Sequence, residues 1–348
     1  MKILIVGNLG YIGPSVARHF RKTLPGAELI GFDLGYFAHC LSNASFLPET
    51  LLDAQYYGDV RKFPEHLLKG VDVVLNLAAI SNDPMGNEFE QVTMDVNHLS
   101  AIRLAEAAKR HGVRNYVYAS SCSIYGAGGD SAKVEADSLN PLTAYARSKV
   151  AAEKDLAPLA NGSFVITCLR FATACGFTNR IRLDLVLNDF VAGALTSGRI
   201  DILSDGSPWR PLINTLDMAR AFEWAAQRRA ENGGEFLAVN TGSSEWNVQI
   251  RDLAAAVSAT LPKTSVSINK DASPDKRSYK VNFGLFQKLA PNHQPQWGLE
   301  ATIRQLAEGL KGMGFADANF RQSQFIRLKV LARLRDEGEL DQGLSWVR

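Results

Sequence analysis

The sequence predicts an α/β fold, a doubly wound parallel sheet with a smaller C-terminal lobe. Up to about residue 170, short apolar runs alternate with longer amphipathic stretches, which is the pattern of repeated strand-helix-strand units. A glycine-rich turn follows directly on the first apolar run. The length of 348 residues suits one large domain and a second, smaller unit.

Five strands are predicted from the apolar runs at residues 3–6, 28–33, 71–77, 116–120 and 164–170. The amphipathic stretches between them predict helices near 11–22, 88–110 and 143–158. Because the crossovers between parallel strands are right-handed, the carboxyl ends of these strands should meet at one edge of the sheet. Ligands of this architecture bind at that edge.

The alternation of strands and helices divides the chain. Residues 1–170 form the sheet domain, and a strand and helix followed by a further strand return to it at about 211–240. Residues 171–210 and 241–314 are rich in loops and form a substrate-binding lobe over the sheet edge. Residues 315–348 are a basic, partly amphipathic helical tail, for which packing on the parent domain is expected.

Composition and charge exclude several function classes. The net charge is +2 with both signs interspersed, so the sequence carries no basic footprint for nucleic acid. No run of about 18 apolar residues predicts a membrane span. The four cysteines and six histidines show no metal-ligand spacing. We therefore expect a metal-free protein without an export signal, in the cytoplasm.

Gly7, Gly10 and Gly13 form a GxxGxxG motif between the first strand and the first helix. Such a turn needs residues without Cβ where the backbone bends, where it touches a pyrophosphate and where helix meets strand. Pro14 fits the first turn of a helix, where its missing N–H costs no hydrogen bond. The alternative is an ordinary turn, but the position of the motif favours a Rossmann-like dinucleotide site.

Asp33 ends the second strand, about 20 residues beyond the glycine motif. A carboxylate there can accept hydrogen bonds from the hydroxyls of the adenine ribose. The 2′-phosphate of NADP would meet its negative charge, so the sequence favours NAD. The alternative is a turn residue without a ligand.

Tyr145 and Lys149 form a YxxxK pair inside a predicted helix and project from one face, one turn apart. A tyrosine with a pKa of about 10 is a poor base near neutrality, but a nearby ammonium favours the phenolate. The pair could therefore exchange a proton with a sugar hydroxyl while hydride moves to a nicotinamide. An exposed helix pair without function is the alternative.

Further motifs accompany the glycine turn, Asp33 and the YxxxK pair: ASSCSIYG at 119–126, GDVR at 58–61, NLAA at 76–79 and Asn97. With them the chain resembles the extended short-chain dehydrogenase/reductases, in particular the NDP-sugar epimerase members of the NAD-dependent epimerase/dehydratase family. The resemblance covers about residues 1–290. It implies that Ser121 is the catalytic serine beside Tyr145 and Lys149. The cofactor set is then Gly7, Gly10, Tyr11, Ile12, Gly13, Asp33, Asp59, Val60, Leu77, Ala78, Ala79, Asn97, Tyr145 and Lys149.

The resemblance also implies a nucleotide-diphosphate sugar as substrate. Its contacts would come from Ser123, Tyr125, Thr173, Arg182, Arg210 and Arg277. Arginine suits a diphosphate because its guanidinium pairs with two oxygens at once. Surface salt bridges are the alternative for the three arginines. Similar enzymes pair through two long helices, which implies a homodimer through residues 88–110 and 143–158.

Departures from the family pattern narrow the reaction. Sugar 4,6-dehydratases have an Asp-Glu pair where this chain has Cys122 and Ser123, so the acid and base for eliminating water are missing. The glutamate of sugar-acid decarboxylases is replaced by Ser123, and Thr173 stands where an asparagine is common. Cys122 is expected to pack as a small neutral residue, with an unusual thiol reaction as the alternative.

The sequence thus favours an NAD-dependent nucleotide-sugar epimerase acting at C4, with a Ser-Tyr-Lys centre and tightly held NAD. A nucleotide-sugar 4-ketoreductase or dehydrogenase, which exchanges its cofactor in every turnover, is the alternative within enzymes. A catalytically silent NAD-binding scaffold is the alternative from another class. Intact Ser121, Tyr145 and Lys149 argue against the scaffold.

Overall fold

A computed structural model describes residues 1–42, 46–81, 83–127, 129, 131–269, 271–272 and 278–347 of the chain. In chain order its strands are β1 (Lys2–Val6), β2 (Glu28–Asp33), β3 (Ala54–Tyr57), β4 (Val73–Asn76), β5 (Asn115–Ser121), β6 (Ala132–Lys133), β7 (Val165–Phe171), β8 (Thr173–Cys175), β9 (Arg199–Ile202), β10 (Trp209–Asn214), β11 (Phe236–Thr241), β12 (Asn247–Gln249), β13 (Ser265–Ile268) and β14 (Lys280–Val281). Its α-helices are α1 (Gly13–Thr23), α2 (Asp83–Glu88), α3 (Glu90–Met94), α4 (Ser100–Arg110), α5 (Ala144–Leu156), α6 (Val186–Ser197), α7 (Thr215–Gln227), α8 (Ile250–Thr260), α9 (Gly284–Leu289), α10 (Leu299–Gly312) and α11 (Arg327–Asp336).

The central layer is a seven-stranded parallel sheet in the order β11-β7-β5-β4-β1-β2-β3. Every residue of β7 is buried, as expected for a strand covered on both faces, which explains its continuous apolar run. The predicted α/β class and the five predicted strands are confirmed. The chain reverses its direction of travel across the sheet between β1 and β4, so a ligand is expected at the carboxyl ends of those strands.

One strand of this sheet, β3, escapes the sequence analysis. It lies at the edge beside β2, and its tyrosines Tyr56 and Tyr57 are 42% and 67% exposed. The sequence AQYY has neither an apolar run nor an alternating pattern. Its place in the sheet is therefore set by tertiary pairing rather than by local periodicity.

Helices cover both faces of the sheet. On one face α1 and α7 pack together, and Phe20 and Phe222 join the core with Ile3 of β1. On the other face α4 and α5 pack over the sheet, with Leu104 and Ala152 in a second core. The cofactor edge is thus held between two buried apolar layers.

The predicted helix at 88–110 is interrupted. It consists of α2, α3, a π-helical turn at Asp95–Leu99, and α4. The π turn places Asn97 in the interior, where the residue is fully buried. Local π turns of this kind often occur beside functional sites.

The lobe contains a sheet of order β12-β10-β8, the pair β13-β9, and α6, α8 and α10 around a third core. The predicted return of the chain to the sheet domain, at about residue 211, falls within β10. β10 pairs with β8 and β12 inside the lobe, whereas α7 and β11 do return to the central sheet. Leu212 of β10 is buried in the lobe core and Ile213 in the core under α1 and α7, so β10 lies where the two cores meet.

The predicted C-terminal helix is present as α11 and packs on the parent domain. Val330, Leu331 and Leu334 form a fourth core with Met85 and Phe89 from α2 and the residue after it. Contacts between α11 and α2 place the tail beside the carboxyl edge of the sheet.

Within the described ranges, no helix is both long and apolar enough to cross a bilayer. The same residues contain no group of three or more histidine, cysteine or acidic side chains placed to hold a metal. All four cysteines are buried and free.

Candidate active site

A cavity of about 1020 Å³ lies at the carboxyl ends of β1, β2, β4, β5 and β7, between the sheet and the lobe. The cavity is lined by most of the site residues that the sequence analysis predicts, namely Gly7, Gly10, Tyr11, Ile12, Asp33, Asp59, Val60, Leu77, Ala78, Ala79, Ser121, Ser123, Tyr145, Lys149, Thr173, Arg182 and Arg210. Gly13, Asn97 and Tyr125 are not among its lining residues. Arg277 lies outside the described residues. The fold therefore brings most of the predicted set into one site.

The glycine turn forms a cradle that side chains would fill. Gly7 has φ +88°, and a Cβ there would lie 2.5 Å from the backbone nitrogen of Ala78. A Cβ on Gly13 would lie 1.9 Å from the carbonyl oxygen of Asn8. No side chain caps the N-terminus of α1, so its first-turn N–H groups suit an anion. These features fit the pyrophosphate of a dinucleotide.

Two carboxylates, Asp33 and Asp59, line one end of the cavity, which we call the adenosine end because the sequence analysis predicts that the adenosine half of NAD binds there. Asp33 accepts hydrogen bonds from the backbone N–H of Leu9 at 3.0 Å and of Gly35 at 2.7 Å, which fix its orientation. Burial raises the pKa of Asp33, and these two hydrogen bonds oppose the rise. Asp59 is held by the Arg61 guanidinium, whose Nε lies 3.0 and 2.9 Å from its two oxygens.

Two of the predicted cofactor residues act from behind the cavity. Asn97 accepts from the backbone N–H of Ile80 at 2.8 Å and donates to the Ile80 carbonyl and to Ser148 Oγ, both at 3.0 Å. Its amide thus holds the cavity wall, and its contact with the cofactor stays a prediction. Gly13 is pressed against Asn8, as the predicted helix-strand contact requires.

Ser121, Tyr145 and Lys149 meet at the centre of the cavity. Ser121 ends β5, and its hydroxyl hydrogen-bonds Tyr145 in the first turn of α5. Thr143 caps this helix by accepting from the N–H of Ala146 at 3.2 Å. Lys149 Nζ donates to the carbonyl of Ala119 at 2.8 Å and lies 5.5 Å from the centre of the Tyr145 ring.

Burial controls the protonation of this centre. It raises the pKa of Tyr145 to about 12, with the Ser121 hydrogen bond and Arg182 opposing the rise and Asp83 adding to it. Burial also lowers the pKa of Lys149 to about 7. The pKa of Tyr145 is therefore raised in this structure, opposite to the predicted direction, because desolvation outweighs the Ser121 hydrogen bond and the charge of Arg182.

A buried polar network stands directly behind the centre. Arg170 on β7 pairs with Glu153 on α5 at 2.7 Å, and Glu153 also accepts from Ser120 Oγ at 2.5 Å. Arg170 donates to Tyr125 Oη at 3.0 Å, and Tyr125 donates to Asn240 at 2.7 Å. The predicted sugar contact of Tyr125 is wrong, because its ring is fully buried in the core and its hydroxyl is part of this network.

Glu153 and Arg170 are residues that the sequence analysis does not single out. Glu153 lies one turn beyond Lys149 on the same helix, so the i, i+4 spacing was an available signal. The network joins α5 to β5 and β7. It therefore fixes the position of α5, and with it that of Tyr145 and Lys149, relative to the sheet.

The two residues after Ser121 point in different directions. Cys122 is fully buried, its thiol donates to the Arg170 carbonyl at 3.0 Å, and burial raises its pKa. This agrees with the expected packing role. Ser123 lines the cavity, and its buried Oγ has no hydrogen-bond partner among the described residues. A hydroxyl of a ligand would satisfy that atom.

The predicted diphosphate contacts lie on the lobe side of the cavity. Arg182 pairs with Asp184 at 2.7 Å and donates to Ser81 Oγ at 2.8 Å. Arg210 donates to the Trp209 carbonyl at 2.9 Å and lies over the Tyr279 ring. Two cations thus face the space beyond the reactive centre.

Asp83 also lines the cavity and was not predicted as a site residue. It begins α2 and accepts from Thr143 Oγ1 at 2.7 Å, beside the first turn of α5. Its negative charge raises the pKa of Tyr145. The polar run Ser81–Asp83 after the fourth strand was the available signal, although Asn82 lies outside the described residues.

The fold and the site together define an NAD-dependent enzyme of the extended short-chain dehydrogenase/reductase type. The chain belongs to the NAD dependent epimerase/dehydratase family, whose model matches residues 3–242. The uncharacterized UDP-glucose epimerase YtcB of Bacillus subtilis is 32% identical over 239 residues, covering 63% of this chain and 71% of that protein. A UDP-glucose 4-epimerase of Mycolicibacterium smegmatis is 28% identical over 254 residues, covering 70% and 78%.

Solved structures show the same fold. The NAD-dependent NDP-hexosamine 5,6-dehydratase TunA has a TM-score of 0.78 at 23% identity, covering 91% of this chain and 99% of that one. The UDP-glucuronic acid 4-epimerase of Bacillus cereus, in complex with UDP-glucuronic acid and NAD, has a TM-score of 0.76 at 21% identity, covering 90% and 100%. At these identities the likeness concerns the fold.

Asp33 is expected to make the enzyme prefer NAD over NADP. An unpaired 2′-phosphate beside this carboxylate should cost on the order of 1–3 kcal/mol, or roughly 5- to 150-fold in affinity. Titration of the cofactor-free protein with each dinucleotide measures the gap, and Asp33→Asn should narrow it. Equal affinity of the wild-type protein for the two cofactors would remove the role given to Asp33.

Proposed function

We propose that the chain is an NAD-dependent nucleotide-sugar 4-epimerase. The observation that carries this proposal is the meeting of Ser121, Tyr145 and Lys149 in the same cavity as the glycine cradle. Relatives described as UDP-glucose 4-epimerases from several bacteria support it at 25–28% identity. A role in carbohydrate biosynthesis follows from such an activity.

In the proposed reaction, Tyr145 takes the proton of the sugar C4 hydroxyl and returns it at the end. Ser121 would hydrogen-bond the reacting oxygen, and the ammonium form of Lys149 would favour the phenolate against the burial that raises the pKa of Tyr145. The glycine cradle and Asp33 would hold NAD, which would supply the hydride acceptor and donor for the sugar carbon. The site has no need of an outside redox partner, because the hydride that leaves the sugar comes back to its other face.

Recognition of the substrate is assigned to the lobe. Arg210 and Arg182 would bind the diphosphate, and Ser123 would satisfy its buried hydroxyl with a sugar oxygen. Thr173, the first residue of β8, lines the cavity and would contact the sugar or the first phosphate. Arg277, predicted for the same task, keeps that proposed role without structural support.

We also propose a homodimer, paired through the helices predicted at 88–110 and 143–158. In the structure the first range contains α3, the π turn and α4, and the second contains α5. Leu99, in the π turn, is 39% exposed. The expected compartment is the cytoplasm, where the four free thiols would stay reduced.

Elimination of water is disfavoured as an alternative. Cys122 points away from the cavity, and Ser123 has no charge to act as base. Asp83 is a carboxylate beside Tyr145, but elimination needs one group to remove a proton and another to protonate the departing hydroxyl. We therefore expect neither a 4,6-dehydratase nor the 5,6-dehydratase activity described for TunA.

Incubation with a panel of nucleotide sugars should give a C4 epimer of at least one of them, without added NAD. NMR spectroscopy of the product identifies the inverted carbon, and mass spectrometry checks that no mass is lost. A product lighter by one water would overturn the proposal in favour of a dehydratase. Stoichiometric formation of NADH, or a reaction that requires added NADH, would favour the dehydrogenase or ketoreductase.

A further inference from the structure

The C-terminal segment supplies part of the cavity wall. Ile326, Arg327 and Leu328, at the start of α11, line the cavity together with residues of the sheet edge. Arg327 is 1% exposed, its guanidinium donates to the carbonyl of Arg180 at 2.8 Å, and it lies 4.8 Å from the centre of the Phe37 ring. The start of α11 is therefore fixed beside the loop that follows Asp33.

After α11 the chain turns back on itself. Gly338 has φ +74°, and residues 339–347 form a closed turn that we call the C-terminal hook. The hook is closed by a bridge between Leu340 and Trp346 and by the N–H of Val347, which donates to the Glu339 carbonyl at 3.0 Å. Leu340 and Leu344 are buried in the core that contains α11. The hook is thus a packed structure.

The hook holds the two segments that surround the adenosine end of the cavity. Trp346 Nε1 donates to the Leu34 carbonyl at 2.9 Å, and the Tyr36 hydroxyl donates to the Leu344 carbonyl. Leu34 and Tyr36 line the cavity directly after Asp33. The loop 34–37 therefore cannot move outward without breaking these bonds.

A second set of bonds ties the hook to Asp59. Arg61, which holds both oxygens of Asp59, donates through Nη1 to the Gly343 carbonyl at 2.5 Å and through Nη2 to Ser345 Oγ at 3.0 Å. Both carboxylates at the adenosine end are thus followed in the sequence by residues that bond the hook. Among the described residues, none that belongs to the hook lines the cavity. The hook can therefore affect a bound cofactor only through the wall residues that it bonds.

We propose that the C-terminal hook is a clasp that slows the release of NAD by holding the loop 34–37 and Arg61 against the adenosine half of the cofactor. The inference rests on the NAD site, and it deepens the proposed epimerase. An epimerase returns its hydride in every turnover and gains from keeping its cofactor, whereas a dehydrogenase must exchange it. Opening of the hook is expected to precede dissociation, as for other lids.

The test is the exchange of bound NAD for isotopically labelled NAD in the full-length protein, followed by mass spectrometry of the released cofactor. Leu340→Ala/Trp346→Ala loosens the hook without changing a cavity residue. Since affinity differences reside mostly in dissociation rates, exchange should become about 10-fold faster or more. Val347→Ser is the matched control within the hook, because Val347 is 62% exposed, and it should exchange at the wild-type rate.

Trp346→Phe serves where the double variant fails to fold, since it keeps an aromatic ring but removes the indole N–H that bonds the Leu34 carbonyl, together with the second ring of the indole. A clear acceleration of exchange is expected there as well. Wild-type exchange rates in a folded hook variant would overturn the clasp. Epimerisation is measured separately on the same samples. Hook-dependent exchange in a protein that forms no epimer would contradict the proposed function and leave the clasp in place. Formation of an epimer, together with an exchange rate that does not change in the hook variants, would contradict the clasp and support the proposed function.

Discussion

Tyr145→Phe is expected to lower the turnover of an accepted nucleotide sugar by at least about 100-fold. The substitution removes only the oxygen that exchanges the proton, and it keeps a ring that is packed beside Ser121 and Lys149. NAD affinity and the melting temperature should stay close to wild-type values. Initial rates, dinucleotide titration and thermal unfolding measure the three quantities.

Tyr279→Phe is the matched control for this experiment. Tyr279 is also a buried tyrosine that lines the cavity, and burial raises its pKa, but its ring packs in the core under α1 and α7 and lies under Arg210. Its loss should cost less than about 10-fold in turnover. Retained activity in Tyr145→Phe, or equal losses in the two variants, would remove Tyr145 from the proton-transfer role.

Lys149→Met is expected to lower turnover by at least about 100-fold and at the same time to raise the free energy of unfolding near pH 6. Lys149 is 1% exposed, and burial lowers its pKa to about 7 in the folded protein. Because this pKa is below that of the unfolded chain, the buried ammonium destabilises the fold most at pH values below 7. The penalty decreases as the pH rises from about 7 towards 10.5.

The stability gain in Lys149→Met should therefore be about 1–4 kcal/mol at pH 6 and smaller at pH 9. Urea unfolding of the cofactor-free proteins at the two pH values measures it. Lys154→Met, an exposed position on the same helix, is the control and should change neither activity nor the pH dependence. A destabilised Lys149→Met protein at pH 6 would mean that the hydrogen bond to Ala119 outweighs the cost of the buried charge.

The central sheet and its glycine turn were predictable because local sequence fixes them. The runs in β1 and β7 are buried on both faces, and Gly7 and Gly13 sit where a Cβ would meet backbone atoms. Tyr145 and Lys149 share one helix face because of their spacing, which is a local property as well. Their meeting with Ser121 followed from the common edge at which parallel strands end.

The direction of Tyr125 was not predictable in the same way. A 3-10 turn at Cys122–Tyr125 follows β5 and sends Ser123 to the cavity and Tyr125 into the core. The period of a strand no longer applies in such a turn. The burial of Asn97 was not predictable for a related reason, since the π turn that encloses it has no clear signal in the sequence.

The tail illustrates a third limit. Its amphipathic pattern predicted packing on the parent domain, but the surface that it covers depends on pairs such as Arg61 with Gly343. Such contacts join residues more than 280 positions apart. Local propensity contains no information on partners at that distance, so the proximity of the tail to the adenosine end emerges only from the fold.

The most direct test of the central claim uses a nucleotide sugar with deuterium at C4 and the enzyme with its bound NAD alone. Hydride that moves to the cofactor and back to the same carbon keeps its label, so the epimer should retain the deuterium at C4 in full, with no accumulation of NADH. NMR spectroscopy and mass spectrometry of the product give the answer. Loss of the label to water, or its appearance in released NADH, would contradict an epimerase that works by transient oxidation at C4.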